Sequence, residues 1–451
     1  MTAPAAQQYL SLYDAQRRLI ETGSPAAMNA VRDQAIDAFR RQGFPSLRTE
    51  AWRYTDAEAA FAPDYGLNLR RFLPTLQAKD VFSCDVPNLS TQTVFLVNDI
   101  PQPSAALAPV WGQRDSRGIF IGSFRQAERV CPDLLTEAYA RIAESEGPGL
   151  LNTAFAQDGL LVHIPAATRM DKPLQVINLL HSQADLMVHR RVLILLDEGA
   201  EGTVLFCDHA MDPVRFLATQ VMEVRLSAGA QLDLYEIEET HTRCTRMADL
   251  AIQAHSRSRL RHHNITLFNG LTRNTLRLQL LGPDAEAQLS GLVITDQQQH
   301  VDNNTLIDHQ APRCHSRQLY KYVADEQSTA AFAGKVLVRP GARQTVSRET
   351  HANLLAAPTA HIFSQPMLEI YADDVQCSHG SSTGALDESA LFYMQQRGIP
   401  PAQARLLLKV AFATQVISLM QLQPMRERLL SLVEKRFRGE LNKCAGCHLC
   451  H

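Results

Sequence analysis

The sequence has no long apolar run and no excess of positive charge. No apolar stretch approaches the roughly 18 residues of a membrane-spanning helix, so no membrane segment is predicted. The formal net charge is −3, from 44 lysines and arginines against 47 aspartates and glutamates. Because binding to phosphates needs a basic excess, nucleic acid is not expected as the main partner.

Common nucleotide-binding and metalloprotease motifs are also missing. The chain contains neither G-x-x-x-x-G-K-[ST] nor G-x-G-x-x-G, so it has no visible means of hydrolysing ATP or binding a dinucleotide. H-E-x-x-H is absent as well. If the chain belongs to an energy-driven assembly, another subunit must supply the energy.

The first residues lack the features of a targeting segment. They contain no unbroken apolar region of a secretory signal, and Asp14 and Glu21 argue against an acid-poor transit peptide. The nine cysteines are odd in number and irregularly spaced, which is typical of reduced thiols and not of a disulfide framework. The predicted location is cytoplasmic.

The spacing of apolar residues changes along the chain, from a helical period to the alternation typical of strands and then back to a helical period. Gly147-Pro148-Gly149 marks a break after a mostly helical beginning. Met222, Val224 and Leu226 then alternate with charged residues, as in a strand, and this pattern dominates more than 200 residues. The predicted regions are 1–150, mostly helical; 151–384, a β core; 385–443, helical; and 444–451, a Cys/His-rich tail.

A small turn sequence recurs within the strand region. Its third positions are separated by 30, 55 and 57 residues, which is one or two units of a period near 28. Strands joined by regularly repeated corners predict a parallel β-helix or related solenoid. An immunoglobulin-like sandwich is the alternative, but it would have about seven strands per hundred residues and no repeated corner. The third positions are Ala200, Ala230, Ala285 and Ala342.

Asp387–Glu388 are predicted to open a helix after the strand region, and two further helices are expected beyond it. One follows Pro400-Pro401 with a single apolar stripe, and the second runs from Pro424 to about Arg438. A solenoid leaves unpaired backbone groups on its last turn, so these helices are expected to cap it. In the second helix Leu429, Leu432 and Val433 are predicted to face inward, and Arg426, Arg428, Lys435 and Arg436 outward.

Cys377 and His379 lie two residues apart near the end of the strand region. In an extended chain such residues point to the same face, so their thiol and imidazole are candidates to bind a soft metal or sulfur. The alternative is a strand-end cysteine beside a hydrogen-bonded histidine. Asp373 and Asp374 precede the pair and are candidates to orient the imidazole as second-shell groups.

The stretch MLEIYADDVQCSHGSSTGALDESALFYMQQRG, which begins at Met367, resembles the signature of the SufB/SufD family. This family comprises scaffold subunits of the SUF iron–sulfur cluster assembly machinery. The four residues Cys377-Ser378-His379-Gly380 resemble the SufD branch, because SufB proteins normally carry a Glu-His-Glu-Ala type sequence there. Other segments that resemble the family are Glu50–Thr55, Val301–His309, Ser316–Lys321 and Gly334–Val336.

The resemblance implies a mainly β fold, with a right-handed parallel β-helix core between N- and C-terminal helical regions. It also implies a non-ATPase scaffold, not an enzyme by itself, in a complex with a SufB-like paralogue and a SufC-like ATPase. The SufB-like chain would pair with the β-helix core, where His379 and Cys377 would face it and hold iron or a transient Fe–S cluster. The ATPase would dock on the C-terminal helices, and this chain would bind no nucleotide. Isolated chains of this kind can also pair as homodimers.

The tail contains five potential metal ligands in eight residues. The two-residue gaps between its cysteines match segments that hold iron–sulfur clusters, and cysteine with histidine also suits zinc. The alternative is a disordered tail that binds metals only adventitiously. The residues are Cys444, Cys447, His448, Cys450 and His451.

The other histidines and cysteines of the core are weaker candidates for metal ligands. Most of them lack ligand spacing and are predicted to be structural, and adjacent Cys314-His315 point to opposite faces of a strand. Cys207 and His209 share a face but lack the family sequence. The histidines predicted to be structural are His262, His263, His300 and His309.

Two other functions are weighed against this prediction. A SufB-type, cluster-carrying paralogue is disfavoured by the sequence around Cys377. A β-helix carbohydrate-active enzyme would need paired carboxylates on one face, whereas Asp373 and Asp374 are adjacent, and the chain has only two tryptophans for stacking on sugars.

Overall fold

The computed structural model describes residues 4–73, 86, 89–143 and 145–440. Within these residues no helix is both long and apolar enough to span a membrane.

Sixteen consecutive strands alternate between two sheets and form a solenoid of about eight turns. From β7 onward each strand pairs in parallel with the strand two before it, so one turn contains two strands. The predicted fold, a mainly β chain with a parallel solenoid and helices at both ends, is confirmed. The odd-numbered strands form one sheet (the odd sheet): β5 (Leu160–Ile164), β7 (Leu186–Leu196), β9 (Phe216–Leu226), β11 (Cys244–Ala254), β13 (Leu271–Leu280), β15 (His300–His309), β17 (Thr329–Val338) and β19 (His361–Ile370). The even-numbered strands form the other (the even sheet): β6 (Leu174–Leu180), β8 (Glu201–Ala210), β10 (Gln231–Glu239), β12 (Arg259–Phe268), β14 (Glu286–Thr295), β16 (His315–Ala324), β18 (Val346–Leu355) and β20 (Gln376–Gly384).

The recurring corner is a structural repeat of the solenoid. The four predicted corner alanines are fully buried between the sheets, in the solenoid lumen. Ser258 and Cys314 occupy the same place in the two corners that the pattern missed, so successive corners follow each other after 27 to 30 residues. The residue before each corner position has a positive φ, which explains why three of the corners use glycine there.

The described part of the N-terminal region adds helices and four further strands. β2 extends the even sheet by parallel pairing with β6, and β4 extends the odd sheet by antiparallel pairing with β5. The first turn of the solenoid is therefore covered by the region that precedes it. The elements are α1 (Pro4–Thr22), α2 (Ala26–Gln42), α3 (Ala57–Phe61), β1 (Gly66–Leu67), β2 (Gln92–Val97), β3 (Ile100–Pro103), β4 (Phe120–Ser123), α4 (Phe124–Val130), α5 (Pro132–Ala138) and α6 (Gly147–Phe155), with short 3-10 turns at Glu50–Trp52 and Ala108–Val110.

Up to residue 440, where the described chain ends, three helices follow the solenoid: α7 (Glu388–Gln396), α8 (Pro401–Ile417) and α9 (Gln423–Phe437). The inner faces of α8 and α9 pack on the outer surface of the even sheet, where Val416 and Leu429 belong to one cluster with Tyr235 and Leu292. The prediction that these helices cap the last turn is wrong. Their apolar stripe instead covers an apolar outer surface on the side of the solenoid, in β8, β10, β12 and β14.

Arg436 corrects a second expectation for α9. It was predicted to face outward, but it is 3% exposed. Its guanidinium donates hydrogen bonds to the Leu267 carbonyl, the Gln299 side chain and the Asp296 carboxylate, and it lies over the Phe268 ring. A helical wheel places this residue at the centre of the apolar face, seven, four and three residues after Leu429, Leu432 and Val433, and its long side chain reaches polar partners on the sheet. The inward positions Leu429, Leu432 and Val433 are confirmed.

Candidate functional site at the open end of the solenoid

The last turn of the solenoid, made by β19 and β20, is open to solvent. Within the described residues each strand has a ladder partner on one side only, β17 for β19 and β18 for β20. No residue of either strand is fully buried. Two strand edges therefore present unpaired N–H and C=O groups, a surface that can pair with another chain.

Cys377 and His379 lie on this turn and face the lumen. In the β18–β20 ladder their Cα partners are Ser347 and Glu349, both buried. Residues in register on a parallel ladder point the same way, so Cys377 and His379 share the lumen face, as predicted. Because no further turn covers them within the described residues, His379 is exposed and Cys377 is half-buried.

The side chains of Cys377 and His379 lie in different environments. Cys377 packs beside an apolar cluster that includes Val336, Val338 and Ala342. Burial raises the pKa of its thiol, and the backbone N–H of Ser347 opposes that shift only in part. The thiol is therefore held in its protonated form, whereas the imidazole of His379 is exposed to solvent at the mouth of the lumen.

Asp373 and Asp374 form the exposed corner between β19 and β20. Asp374 has a φ of +56°, and its carbonyl accepts a hydrogen bond from the Gln344 N–H at 2.7 Å. His379 lies five residues further along the chain, about 15 Å away at the rise of a strand. Direct hydrogen bonding is therefore out of reach in this conformation, and their role in orienting the imidazole stays an untested prediction.

Glu349 is a residue of this site that the sequence analysis missed. Its side chain is 2% exposed, and burial raises its pKa to about 7. The Gln318 amide donates a 2.8 Å hydrogen bond to Oε2, but Oε1 is buried and has no hydrogen-bond partner among the described residues. The available signal was the turn period, since Glu349 precedes His379 by 30 residues, about one turn.

A row of polar side chains continues from Glu349 along the last two turns. The His351 ring is 2.7 Å from the Ser364 hydroxyl, which is 2.7 Å from the Ser381 hydroxyl on β20. Burial lowers the pKa of His351 to about 3, so this ring is neutral at physiological pH. The open end therefore exposes a polar lumen with an apolar side around Cys377.

The N-terminal family segment reaches the same turn from outside. Tyr54 stacks on Phe363 of β19 with ring centroids 4.5 Å apart, and Gln365 donates a hydrogen bond to Glu50 at 3.1 Å. Thr55 donates to the Asp302 carboxylate at 2.7 Å. These contacts link the segment Glu50–Thr55 to the odd sheet and support the position of β19.

Gly380–Gly384 formally spells G-x-S-x-G, the nucleophile motif of some hydrolases. In those enzymes the serine sits on a sharp turn between a strand and a helix. Here all five residues lie within strand β20. The segment therefore lacks the geometry of a nucleophile elbow.

Three of the histidines that were predicted to be structural are buried and have hydrogen-bond partners in the core. His262 lies 2.9 Å from the Glu236 carboxylate, His263 lies 2.6 Å from the Ser290 hydroxyl, and His309 lies 2.9 Å from the Ser316 hydroxyl. Within the part of the chain that the structure describes, no group of three or more His, Cys, Asp or Glu is placed to hold a metal ion. The predicted tail site, Cys444, Cys447, His448, Cys450 and His451, lies outside the described residues.

Two family profiles match the chain and together cover most of it. The profile of the SufBD core domain, described as SUF system FeS cluster assembly, matches residues 179–412. The profile of the SufBD N-terminal region matches residues 3–176. Both profiles therefore meet at the start of the solenoid.

Individual relatives agree with the profiles. The iron–sulfur cluster assembly protein SufD of Escherichia coli is 24% identical over 96% of this chain and 97% of its own length. A SufBD family protein of Synechocystis is 26% identical over 90% of each chain, and one of Mycobacterium leprae is 35% identical over 39% of this chain and 47% of its own. The chain belongs to the SufB/SufD family of iron–sulfur cluster assembly proteins and is a SufD-type member of it.

Proposed function

We propose that this chain is the non-ATPase scaffold subunit of a SufB–SufC–SufD-type complex in the cytoplasm. Its solenoid would pair end to end with a SufB-like chain, and iron and sulfide, the cargo of the complex, would meet at that contact. The observation that carries the proposal is the open last turn, which exposes His379 on the lumen face of a strand that is paired on one side only within the described residues. Because this chain lacks a nucleotide-binding motif, ATP hydrolysis would be supplied by a SufC-like partner.

Backbone and side chains both favour pairing at the open end. The edges of β19 and β20 can continue their ladders into another solenoid. Ile370 and Tyr371 are 42% and 64% exposed at the same end, and burying them would stabilise the contact. A second copy of the chain offers the same surface, so a homodimer is expected to compete when the partner is absent.

The cargo would be held mainly by His379. A neutral imidazole is a good ligand for iron, and Cys377 would add a thiolate if contact with the partner or a metal displaced its proton. In the described residues this chain lacks a complete metal site, which fits a site completed by the partner. The Cys/His tail is a separate candidate to accept iron or persulfide sulfur.

The C-terminal helices are the proposed docking surface for the SufC-like ATPase. Phe392 and Tyr393 of α7 and Leu407 of α8 are large apolar residues that are 63%, 60% and 42% exposed. Exposed apolar residues grouped on neighbouring helices are typical of a protein contact. Since α8 and α9 are packed on the even sheet, a movement of the ATPase would be passed directly to the solenoid.

The proposal is tested by iron and acid-labile sulfide in the anaerobically purified complex, co-expressed with SufB- and SufC-like partners. Wild type is compared with His379→Ala and with a chain truncated after Lys443. A His379→Ala complex that assembles but contains little iron and sulfide supports the interface role. A full load of both would make His379 structural and overturn the proposal. If only the truncated chain loses iron and sulfide, the Cys/His tail and not His379 would be the site that holds them.

A further inference from the structure

Glu349 lies directly below His379, one turn deeper in the lumen. The two residues are register partners in the β18–β20 ladder, so their side chains extend from neighbouring strands in the same direction. Neighbouring strands are about 4.8 Å apart, a separation that a single metal ion bridges when both side chains approach it. His379 is exposed at the mouth of the lumen, and Glu349 is 2% exposed beneath it.

The carboxyl group of Glu349 is only half satisfied. Gln318 donates to Oε2 at 2.8 Å, while Oε1 is buried and has no partner among the described residues. A buried acceptor without a donor is energetically unfavourable, so such a group calls for an explanation. A cation entering through the open turn would supply the missing partner.

We propose that Glu349 is a second ligand, with His379, for the iron that this chain presents to its partner. The inference rests on the proposed function, in which iron is the cargo at the open end. An imidazole with a carboxylate is a ligand pair typical of ferrous iron, and the carboxylate adds the negative charge that a lone imidazole lacks. When iron binds, any proton on the carboxyl group is released to solvent.

Gly334 opposite Glu349 shows that the lumen has room for this carboxyl group. A Cβ at Gly334 would lie 2.5 Å from Oε1 and 2.6 Å from Oε2 of Glu349, closer than atoms approach without displacement. Gly334 begins one of the segments that resemble the family, Gly334–Val336, and the contact gives it a physical role. The lumen here is shaped around a carboxyl group and not around an apolar side chain.

The pair forms half of a site. With two protein ligands the remaining positions on iron are open to sulfide, to water or to side chains of the partner. This agrees with the lack of any group of three ligands in the described residues. It also predicts weak binding of iron by this chain alone and tighter binding in the assembled complex.

The inference is tested by anaerobic titration of the apo complex with Fe²⁺, and with Co²⁺ as an absorbing probe, for wild type, Glu349→Gln and His379→Ala. Glu349→Gln keeps the size of the side chain and an oxygen that accepts from Gln318. Both variants are expected to bind either ion at least about tenfold more weakly. The matched control is Glu369→Gln, which removes a carboxylate of the same turn that pairs with Lys335 at 2.6 Å, and it is expected to bind like wild type.

The outcomes separate this inference from the proposed function. Wild-type affinity in Glu349→Gln with lost affinity in His379→Ala overturns the role of Glu349 and leaves the interface role intact. If Glu349→Gln and His379→Ala both bind the ions with wild-type affinity, the role of Glu349 and the interface role of His379 are both overturned. If Glu349→Gln fails to assemble, Glu349→Asp is compared with Glu349→Ala, and equal affinities of these two variants would contradict a carboxylate ligand.

Discussion

Glu238 shows at the scale of one residue how a carboxylate is kept inside the solenoid. It is 3% exposed, and the Thr272 hydroxyl contacts both of its oxygens at 2.8 Å. Burial raises its pKa from 4.5 to about 7, although Arg246 opposes the shift. The folded chain therefore holds a proton on Glu238 that the unfolded chain has already lost at the same pH.

This bound proton predicts a pH dependence of stability. Between pH 4.5 and 7 the unfolded chain binds fewer protons at this group, so the contribution of Glu238 to the free energy of unfolding falls as pH rises, by on the order of 3 kcal/mol in total. Glu238→Gln removes the titrating group, so the free energy of unfolding of wild type should fall relative to that of the variant as pH rises through this range. Urea unfolding of both proteins between pH 4.5 and 8 measures the difference. Parallel profiles would show that Glu238 is ionised in the folded chain.

The contact between Gly334 and Glu349 predicts a second effect at this scale. Gly334→Ala places a methyl group against the buried carboxyl group and should reduce the free energy of unfolding by about 1–3 kcal/mol. In a Glu349→Ala background that contact is gone, so the same substitution should cost at least about 1 kcal/mol less. A double-mutant cycle of denaturant unfolding measures the coupling. Additive effects would mean that the carboxyl group moves aside freely.

At the scale of elements, the strands and corners were predictable, and the docking of the terminal helices was not. The alternation of apolar and polar residues and the turn period near 28 depend only on residues close in sequence. The period is visible in the recurring corner alanines, which are Ala200, Ala230, Ala285 and Ala342. An apolar stripe on a helix indicates that the helix packs against some apolar surface, but it does not identify that surface. The outer face of the even sheet offered apolar residues at Leu205 and Leu292, so α8 and α9 pack there and leave the last turn open.

Arg436 should stabilise this docking. Its removal in Arg436→Ala leaves the Asp296 carboxylate, 22% exposed, and the Leu267 carbonyl without their donor, at a cost of about 2–4 kcal/mol. The matched control is Arg438→Ala, two residues further on, whose exposed pair with Glu434 should contribute under about 0.5 kcal/mol. Thermal and denaturant unfolding compare the two. Equal losses would mean that α9 is held by its apolar face alone.

At the scale of the whole molecule, the candidate site combines residues that are close in sequence with a residue that only the fold brings near them. Cys377 and His379 are two residues apart, so their common face followed from strand geometry and the family resemblance. Glu349 is 30 residues away, and its position beneath His379 depends on the exact register of two strands. The openness of the turn could not be predicted either, because it follows from where the C-terminal helices pack.

The open end should control assembly independently of metal. Ile370 faces the lumen side of β19 and is 42% exposed at the open end of the described solenoid, so a partner solenoid would bury it. Ile370→Lys places a charge in that contact and should weaken pairing with a SufB-like chain by about 2 kcal/mol, or roughly thirtyfold in Kd, with little effect on folding of the single chain. Leu47→Lys, at an N-terminal position that is 49% exposed, is the matched control and should bind normally. Sedimentation of the chain with its partner measures both. Unchanged affinity in Ile370→Lys would place the contact elsewhere on the solenoid, and His379 would then lose its route to a shared site.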